Sequence, residues 1–304
     1  MTDWTGVFPA LTTRFTADHA LDHAPMRAHF GWQVDCGVDG LITTGSLGEA
    51  STLEVAEKVE VARLAVEAAA GRVPVLATVA ESATHRARRF VREAEAVGVD
   101  GFMVLPGMPY VSDLRETVAH YQAVADAASK PLMIYNNPVA YRVDLGIEGL
   151  DALAAEPKFV AIKESSDDVR RVTRLRTRFG DRFRIFAGVD NLALESLFMG
   201  ADGWVAGLVD AFPEETVAIY CLARAGRDRE ALEIYRWFAP LLELDVSTKL
   251  VQNIKLAGAL VGRSTEHVRP PRLPLAGEER ARVERIVADA LDCRPSLPDL
   301  KDVA

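Results

Sequence analysis

Eight short apolar runs, separated by stretches with helical periodicity, constrain this chain more than any other feature of its 304 residues. The runs cover residues 6–12, 40–44, 73–79, 101–105, 131–135, 159–163, 184–187 and 203–208. Each has strand length, and most are rich in Val, Ile, Leu or Phe. Between them, residues 54–70, 83–97, 114–128, 168–179 and 191–199 carry apolar positions at helical spacing. Strand followed by helix, about eight times over, implies βαβ units with right-handed crossovers, and eight such units close into a (β/α)8 TIM barrel. An open, doubly wound sheet is the competing arrangement. It is disfavoured because no Gly-x-Gly-x-x-Gly turn follows the first run, which continues into Thr13-Arg14.

After Pro213 the strand signal ends, and residues 214–225, 229–242, 247–261 and 278–291 read as helices, with a proline-rich link at 268–275. A catalytic barrel over residues 1–226 and a C-terminal helical extension over 227–304 follow. With 49% hydrophobic residues the chain can bury one large core. A net charge of −9 and no basic run argue against nucleic acid or anionic membranes as partners, so an anionic substrate must be attracted by local groups. Cys36, Cys221 and Cys293 show no paired spacing, which suggests neither a disulfide framework nor a metal site. Without an apolar leader or an 18-residue apolar span, the expected location is the cytoplasm.

Barrel enzymes draw their reactive groups from the C-terminal ends of strands. Three ends are unusual. The run Phe159-Val-Ala-Ile-Lys163 ends in a lysine. Apolar surroundings lower an amine's pKa and free it to attack a carbonyl, although a strand-end lysine can also simply reach solvent. One βα unit earlier, Met133-Ile-Tyr135 ends in a phenol that a neighbouring strand would hold beside the amine, as a general acid and base. Without Lys163 it would read as a packing residue. The third end, Thr44-Gly45-Ser46-Leu47-Gly48-Glu49, supplies free backbone N–H groups and a hydroxyl where a carboxylate can be held, and alone would pass for an ordinary turn.

In this order and spacing, Gly45-Ser-Leu-Gly-Glu49, Tyr135-Asn-Asn-Pro138 and Ile162-Lys-Glu164 resemble the dihydrodipicolinate synthase and N-acetylneuraminate lyase superfamily of Schiff-base lyases and aldolases. The resemblance implies that Lys163 forms the Schiff base and Tyr135 transfers protons. It also implies that Gly45, Ser46 and Leu47 hold the substrate carboxylate, with Ser46 relaying protons to the tyrosine, and that Gly188 and Val205 line the pocket. A homotetramer, a dimer of dimers, with no metal or organic cofactor is implied as well.

Departures narrow the substrate. In the synthases a tyrosine after the fourth strand joins the relay, and an arginine shortly after the Tyr-Asn-x-Pro turn binds the second substrate; here Met108 and Ala140 fall at or near those places, with Tyr110 and Arg142 two residues away. Leu47 replaces a frequent hydroxyl, removing a hydrogen bond worth about 1 kcal/mol. The segments Tyr135-Asn-Asn-Pro-Val-Ala-Tyr-Arg-Val-Asp144, Ile162-Lys-Glu-Ser-Ser-Asp-Asp-Val-Arg170, Ala201-Asp-Gly-Trp-Val-Ala-Gly207 and Asp245-Val-Ser-Thr-Lys-Leu-Val-Gln-Asn-Ile-Lys255 are similar to the 1-pyrroline-4-hydroxy-2-carboxylate deaminases of hydroxyproline breakdown. The expected substrate is therefore a 2-keto acid or its cyclic imine, with Met108 and Arg142 as further substrate contacts. A 4-hydroxy-tetrahydrodipicolinate synthase or another pyruvate-dependent aldolase is the alternative, and a non-catalytic ligand-binding barrel the remote one. His120, His267, Trp204, Trp237, Phe238, Cys36 and Cys221 read as structural.

Overall fold

A computed structural model describes residues 4–107 and 110–300. Eight strands form one parallel sheet: β1 (Gly6–Pro9), β2 (Leu41–Thr43), β3 (Val75–Val79), β4 (Gly101–Val104), β5 (Leu132–Asn136), β6 (Phe159–Glu164), β7 (Arg184–Ala187) and β8 (Gly203–Ala206). Each strand from β2 to β8 pairs with its neighbour in sequence, and β8 pairs with β1. A parallel bridge between Ala10 and Ile42 brings β1 onto β2 and closes the (β/α)8 barrel.

Around it lie α1 (His23–Asp35), α2 (Val55–Ala69), α3 (Thr84–Ala96), α4 (Leu114–Ala127), α5 (Pro138–Tyr141), α6 (Gly146–Leu153), α7 (Arg170–Phe179), α8 (Ala193–Phe198) and α9 (Pro213–Arg224). The C-terminal part adds α10 (Asp228–Leu242), α11 (Leu250–Leu260) and α12 (Gly277–Asp292). Among the described residues, no helix is long and apolar enough to cross a membrane.

Helix α1 is missing from the pattern read above. Its inner face buries Met26, Phe30 and Val34 together with His29 and Gln33, so polar side chains interrupt the apolar stripe. Inside, His29 Nε2 pairs with Asp210 and Gln33 Nε2 donates to the Val209 carbonyl, while His29 Nδ1 and Gln33 Oε1 have no partner among the described residues. Two further helices, α5 and α6, lie in the stretch between β5 and β6; α5 is a single turn that an Asn137 side-chain cap and Pro138 start. The strand expected over 6–12 ends at Pro9, and the helix expected from 247 starts at Leu250.

Side chains of alternate strand positions fill the barrel interior: Phe8, Ile42, Leu76, Met103, Met133, Ala161, Phe186 and Val205 pack with Trp4, Leu105 and Tyr135. The outer faces of the strands bury against the helices. At the N-terminal end of the barrel one device occurs three times. Asp39, Asp100 and Asp202, each just before a strand, donate their backbone N–H to Val7, Val75 and Ile185 and accept the N–H of that same residue on a carboxylate oxygen. A glycine follows each aspartate, and Gly40, Gly101 and Gly203 lie so close to Phe8, Trp4 and Phe186 that a Cβ would collide with the ring. The barrel floor is thus sealed by aromatic rings over Asp-Gly pairs.

Candidate active site

At the opposite end, the C-terminal ends of the strands surround a cavity of about 550 Å³. Register places Tyr135 directly beside Lys163 across β5 and β6, both facing inward. The Lys163 Nζ lies 4.3 Å from the centre of the Tyr135 ring. Lys163 is 6% exposed, and burial lowers the pKa of its amine, opposed by Asp245, Tyr141 and Asp190. Gly188 gives the lysine stem its passage, since a Cβ there would stand 2.8 Å from Lys163 Cγ and overlap Ser165. Burial raises the pKa of the Tyr135 phenol, which accepts a hydrogen bond from Asn137 Nδ2 at 3.0 Å. The phenol is therefore held protonated, ready to give a proton and take it back.

Gly45, Ser46 and Leu47 line the cavity on the β2 side, across the barrel from β6, and Val205 and Gly188 line it near the lysine. Thr44 takes a left-handed conformation that turns the chain into this loop. Below the loop, Glu49 is fully buried and paired with Lys255 of α11, while its second oxygen accepts the Arg269 N–H at 3.1 Å. This pair ties the Gly45–Leu47 turn to the C-terminal helices.

One expected contact, Arg142, falls elsewhere, as does Tyr110. Arg142 is exposed, in a left-handed conformation that ends α5, and does not line the cavity; the turn that ends the helix carries its side chain away. Tyr110 is 57% exposed, with its hydroxyl 3.4 Å from Glu116. Met108 lies outside the described residues. Trp204 is buried on the outer face of β8, donating to Asp190 at 2.9 Å, and Trp237 stacks on Phe238. His120 is buried against the Thr84 hydroxyl at 3.0 Å, and His267 contributes its carbonyl to Lys255. Cys36 and Cys221 are half-buried rather than in the core.

Two residues in the site carried no sequence signal that singled them out. Tyr141, between the positions weighed at 140 and 142, hydrogen-bonds Ser46 and packs edge-on against Tyr135 with ring centres 5.7 Å apart. A phenol thus stands between Ser46 and Tyr135, where a direct contact was expected. Burial raises its pKa, with the neighbouring Tyr135 adding to the rise. The second is Asp245, in the turn between α10 and α11, which lines the cavity with Val246, Ser247, Thr248 and Leu250. Those residues belong to the C-terminal helical part, so the extension builds one wall of the site. Burial, with Asp190 close by, pushes the Asp245 carboxyl well above the usual range. Among the described residues no arginine lines the cavity, and no group of three or more His, Cys, Asp or Glu is placed to hold a metal ion.

The model of the dihydrodipicolinate synthetase family matches residues 3–290. The chain is 38% identical over 283 residues to a 4-hydroxy-tetrahydrodipicolinate synthase of Sorangium cellulosum, covering 90% of this chain and 91% of that one. It is 33% identical over 291 residues to the enzyme of the same name from Acidobacterium capsulatum, covering 94% and 96%. Among solved structures, the dihydrodipicolinate synthase of Aquifex aeolicus superposes with a TM-score of 0.89 at 28% identity, covering 94% of this chain and 98% of that one.

Proposed function

Because the chain belongs to the dihydrodipicolinate synthetase family, whose members form a Schiff base on a lysine, we propose that it is a lyase acting through Lys163 on a 2-keto acid or its cyclic imine. The observation that carries this reading is one buried amine, its pKa lowered by burial, beside a protonated phenol in a cavity large enough for a small acid. The Gly45–Leu47 turn would hold the C1 carboxylate and so bring C2 to the amine.

Within that class we favour deamination of 1-pyrroline-4-hydroxy-2-carboxylate. The amine adds to C2 and the ring C–N bond breaks, leaving the ring nitrogen as a primary amine at C5. Tyr135 gives its proton to the departing ring nitrogen, and its phenolate then takes one from C3, which the protonated Schiff base has acidified; the C4 hydroxyl departs as water. A double-bond shift gives an imine at C5. Hydrolysis there and at C2 releases ammonia, 2,5-dioxopentanoate and the free lysine; one water is lost and two are consumed. Tyr141 and Ser46 continue the proton path from Tyr135.

A second reading, 4-hydroxy-tetrahydrodipicolinate synthase, has the names of the relatives at 33% and 38% identity on its side. Against it stands the cavity wall. Ala140 lines the position where the synthases are expected to carry their substrate-binding arginine, and Arg142 faces away. Asp167 also lines the cavity, so this wall offers an acidic side chain and no cation to a second carboxylate. The deciding assay compares ammonia released from the pyrroline with condensation of pyruvate and aspartate semialdehyde. Release without condensation is expected. Condensation without release would establish the synthase, and no borohydride-trapped adduct on Lys163 with any 2-keto acid would remove both.

A further inference from the structure

We infer that the Asp245 carboxyl is a catalytic acid that protonates the departing C4 hydroxyl, directing the Schiff base through its enamine to C4–O cleavage instead of C3–C4 cleavage of the iminium. The inference rests on the Schiff-base reading above and names the substrate class more narrowly: 2-keto acids, or their cyclic imines, that carry a hydroxyl at C4.

The position of Asp245 argues for this first. Lys163 is on β6, with Tyr135 beside it on β5. Asp245 stands on the other flank, against Gly207 just after β8; a Cβ on Gly207 would lie 2.5 Å from its Oδ1. A substrate joined to Lys163 at C2, with its carboxylate toward Gly45–Leu47, therefore has the phenol on one side and the carboxyl on the other. Elimination needs that division of labour: one group to take the C3 proton, another to give a proton to the leaving oxygen.

The second argument is the contrast with Asp190, the other acid beside the lysine. Both Asp190 oxygens are engaged, by Trp204 Nε1 and the Gly207 and Leu208 N–H groups. It is fixed in place as a structural group. No hydrogen bond to the Asp245 carboxylate is found among the described residues, although it borders the cavity. A half-buried carboxyl without partners among the described residues is available to a ligand. Burial favours its neutral, proton-bearing form.

In the step itself, the enamine nitrogen pair re-forms the C2 iminium and the C2–C3 pair moves to C3–C4. The C4–O bond breaks and takes its electrons, and the Asp245 proton completes the water. Asp245 is left as a carboxylate and regains its proton from solvent at the cavity mouth. No oxidant or reductant is required.

The test uses Asp245→Asn, which keeps the shape and loses the acid, with Asp245→Glu as the variant that keeps the acid. Three reactions are followed: exchange of the pyruvate methyl protons into deuterated water, ammonia release from the pyrroline, and product partition of 4-hydroxy-2-oxopentanoate between 2-oxopent-3-enoate and pyruvate plus acetaldehyde. For Asp245→Asn, exchange is expected within about threefold of wild type while ammonia release falls about 100-fold or more. The acyclic substrate then shifts toward pyruvate and acetaldehyde, and Asp245→Glu recovers part of the elimination. Ammonia release within threefold of wild type in Asp245→Asn, or equal loss of exchange and elimination in a folded variant, overturns the assignment. If the wild-type protein exchanges pyruvate protons yet eliminates from neither hydroxylated substrate, the Asp245 role falls while the Schiff base stands. If it forms no adduct at all, the Schiff-base reading falls first.

Discussion

The two ends of the barrel treat the same kinds of side chain in opposite ways. At the floor, Asp39, Asp100 and Asp202 each close a reciprocal pair of bonds with a strand residue, and Asp202 is also bridged by Arg176 and Arg184. At the mouth, the Asp245 carboxyl, the Lys163 amine and the buried Ser165 hydroxyl line the cavity and have no hydrogen-bond partner among the described residues. A buried polar group without a partner costs about 1–3 kcal/mol, so the mouth gives up stability that the floor secures. The groups left open are those a ligand can satisfy. Within the mouth the lysines repeat the lesson: Lys255 is held by Glu49 and the His267 carbonyl, while Lys163 faces the cavity.

If that division is real, substitutions at the open groups should abolish chemistry and leave folding intact, and substitutions at the closed ones should do the reverse. Lys163→Ala is expected to show the largest effect. Turnover should fall on the order of 10⁴-fold or more and the borohydride adduct should vanish, with no loss of thermal stability. Retained turnover would end the case for the mouth as the active site.

Lys255→Met should act on stability instead. It leaves Glu49 buried without its ammonium partner, at a cost of about 3–5 kcal/mol in denaturant unfolding. Adding Glu49→Gln should return part of that loss, because the stranded charge is then gone; a double variant no more stable than Lys255→Met would deny that the pair acts as a unit. Tyr135→Phe comes next: proton exchange at the substrate C3 should drop roughly 10²–10³-fold while the lysine still forms its adduct. At the floor, Asp100→Ala strands the Val75 N–H and should cost about 1–3 kcal/mol, with adduct formation at the wild-type rate.

The same contrast explains how much was legible in the sequence. All eight strands and the lysine–tyrosine pair were legible because βα repetition fixes which strand ends meet, and neighbouring strands bring their last inward residues together. Helix α1 was not, because His29 and Gln33 break the apolar stripe and find their partners on the segment after β8, far away in sequence. Arg142 and Tyr141 illustrate a finer limit. They are adjacent in one short helix and its cap, and only the backbone conformation decides which of the two enters the cavity. Asp245 was hidden for another reason: it reaches the site from the C-terminal helices, outside the strand ends where barrel chemistry is sought.

The smallest expected effect is a difference in pH dependence between the two ends. Burial lowers the Lys163 pKa below the ordinary 10.5 of an unfolded lysine. Between the two values the unfolded chain binds a proton there that the folded chain does not. Folding stability therefore rises with pH across that window, by up to about 1.4 kcal/mol per pH unit, and is flat with respect to this group below the folded value. Denaturant unfolding of the wild-type protein and Lys163→Met at pH 8, 9 and 10 isolates the contribution, because every other titrating group is common to both. The wild-type curve should climb more steeply, and Asp100→Ala should keep the wild-type slope at a lower overall stability. Parallel curves for the wild-type protein and Lys163→Met would mean that the amine keeps its charge in the fold, and the mouth would then resemble the floor.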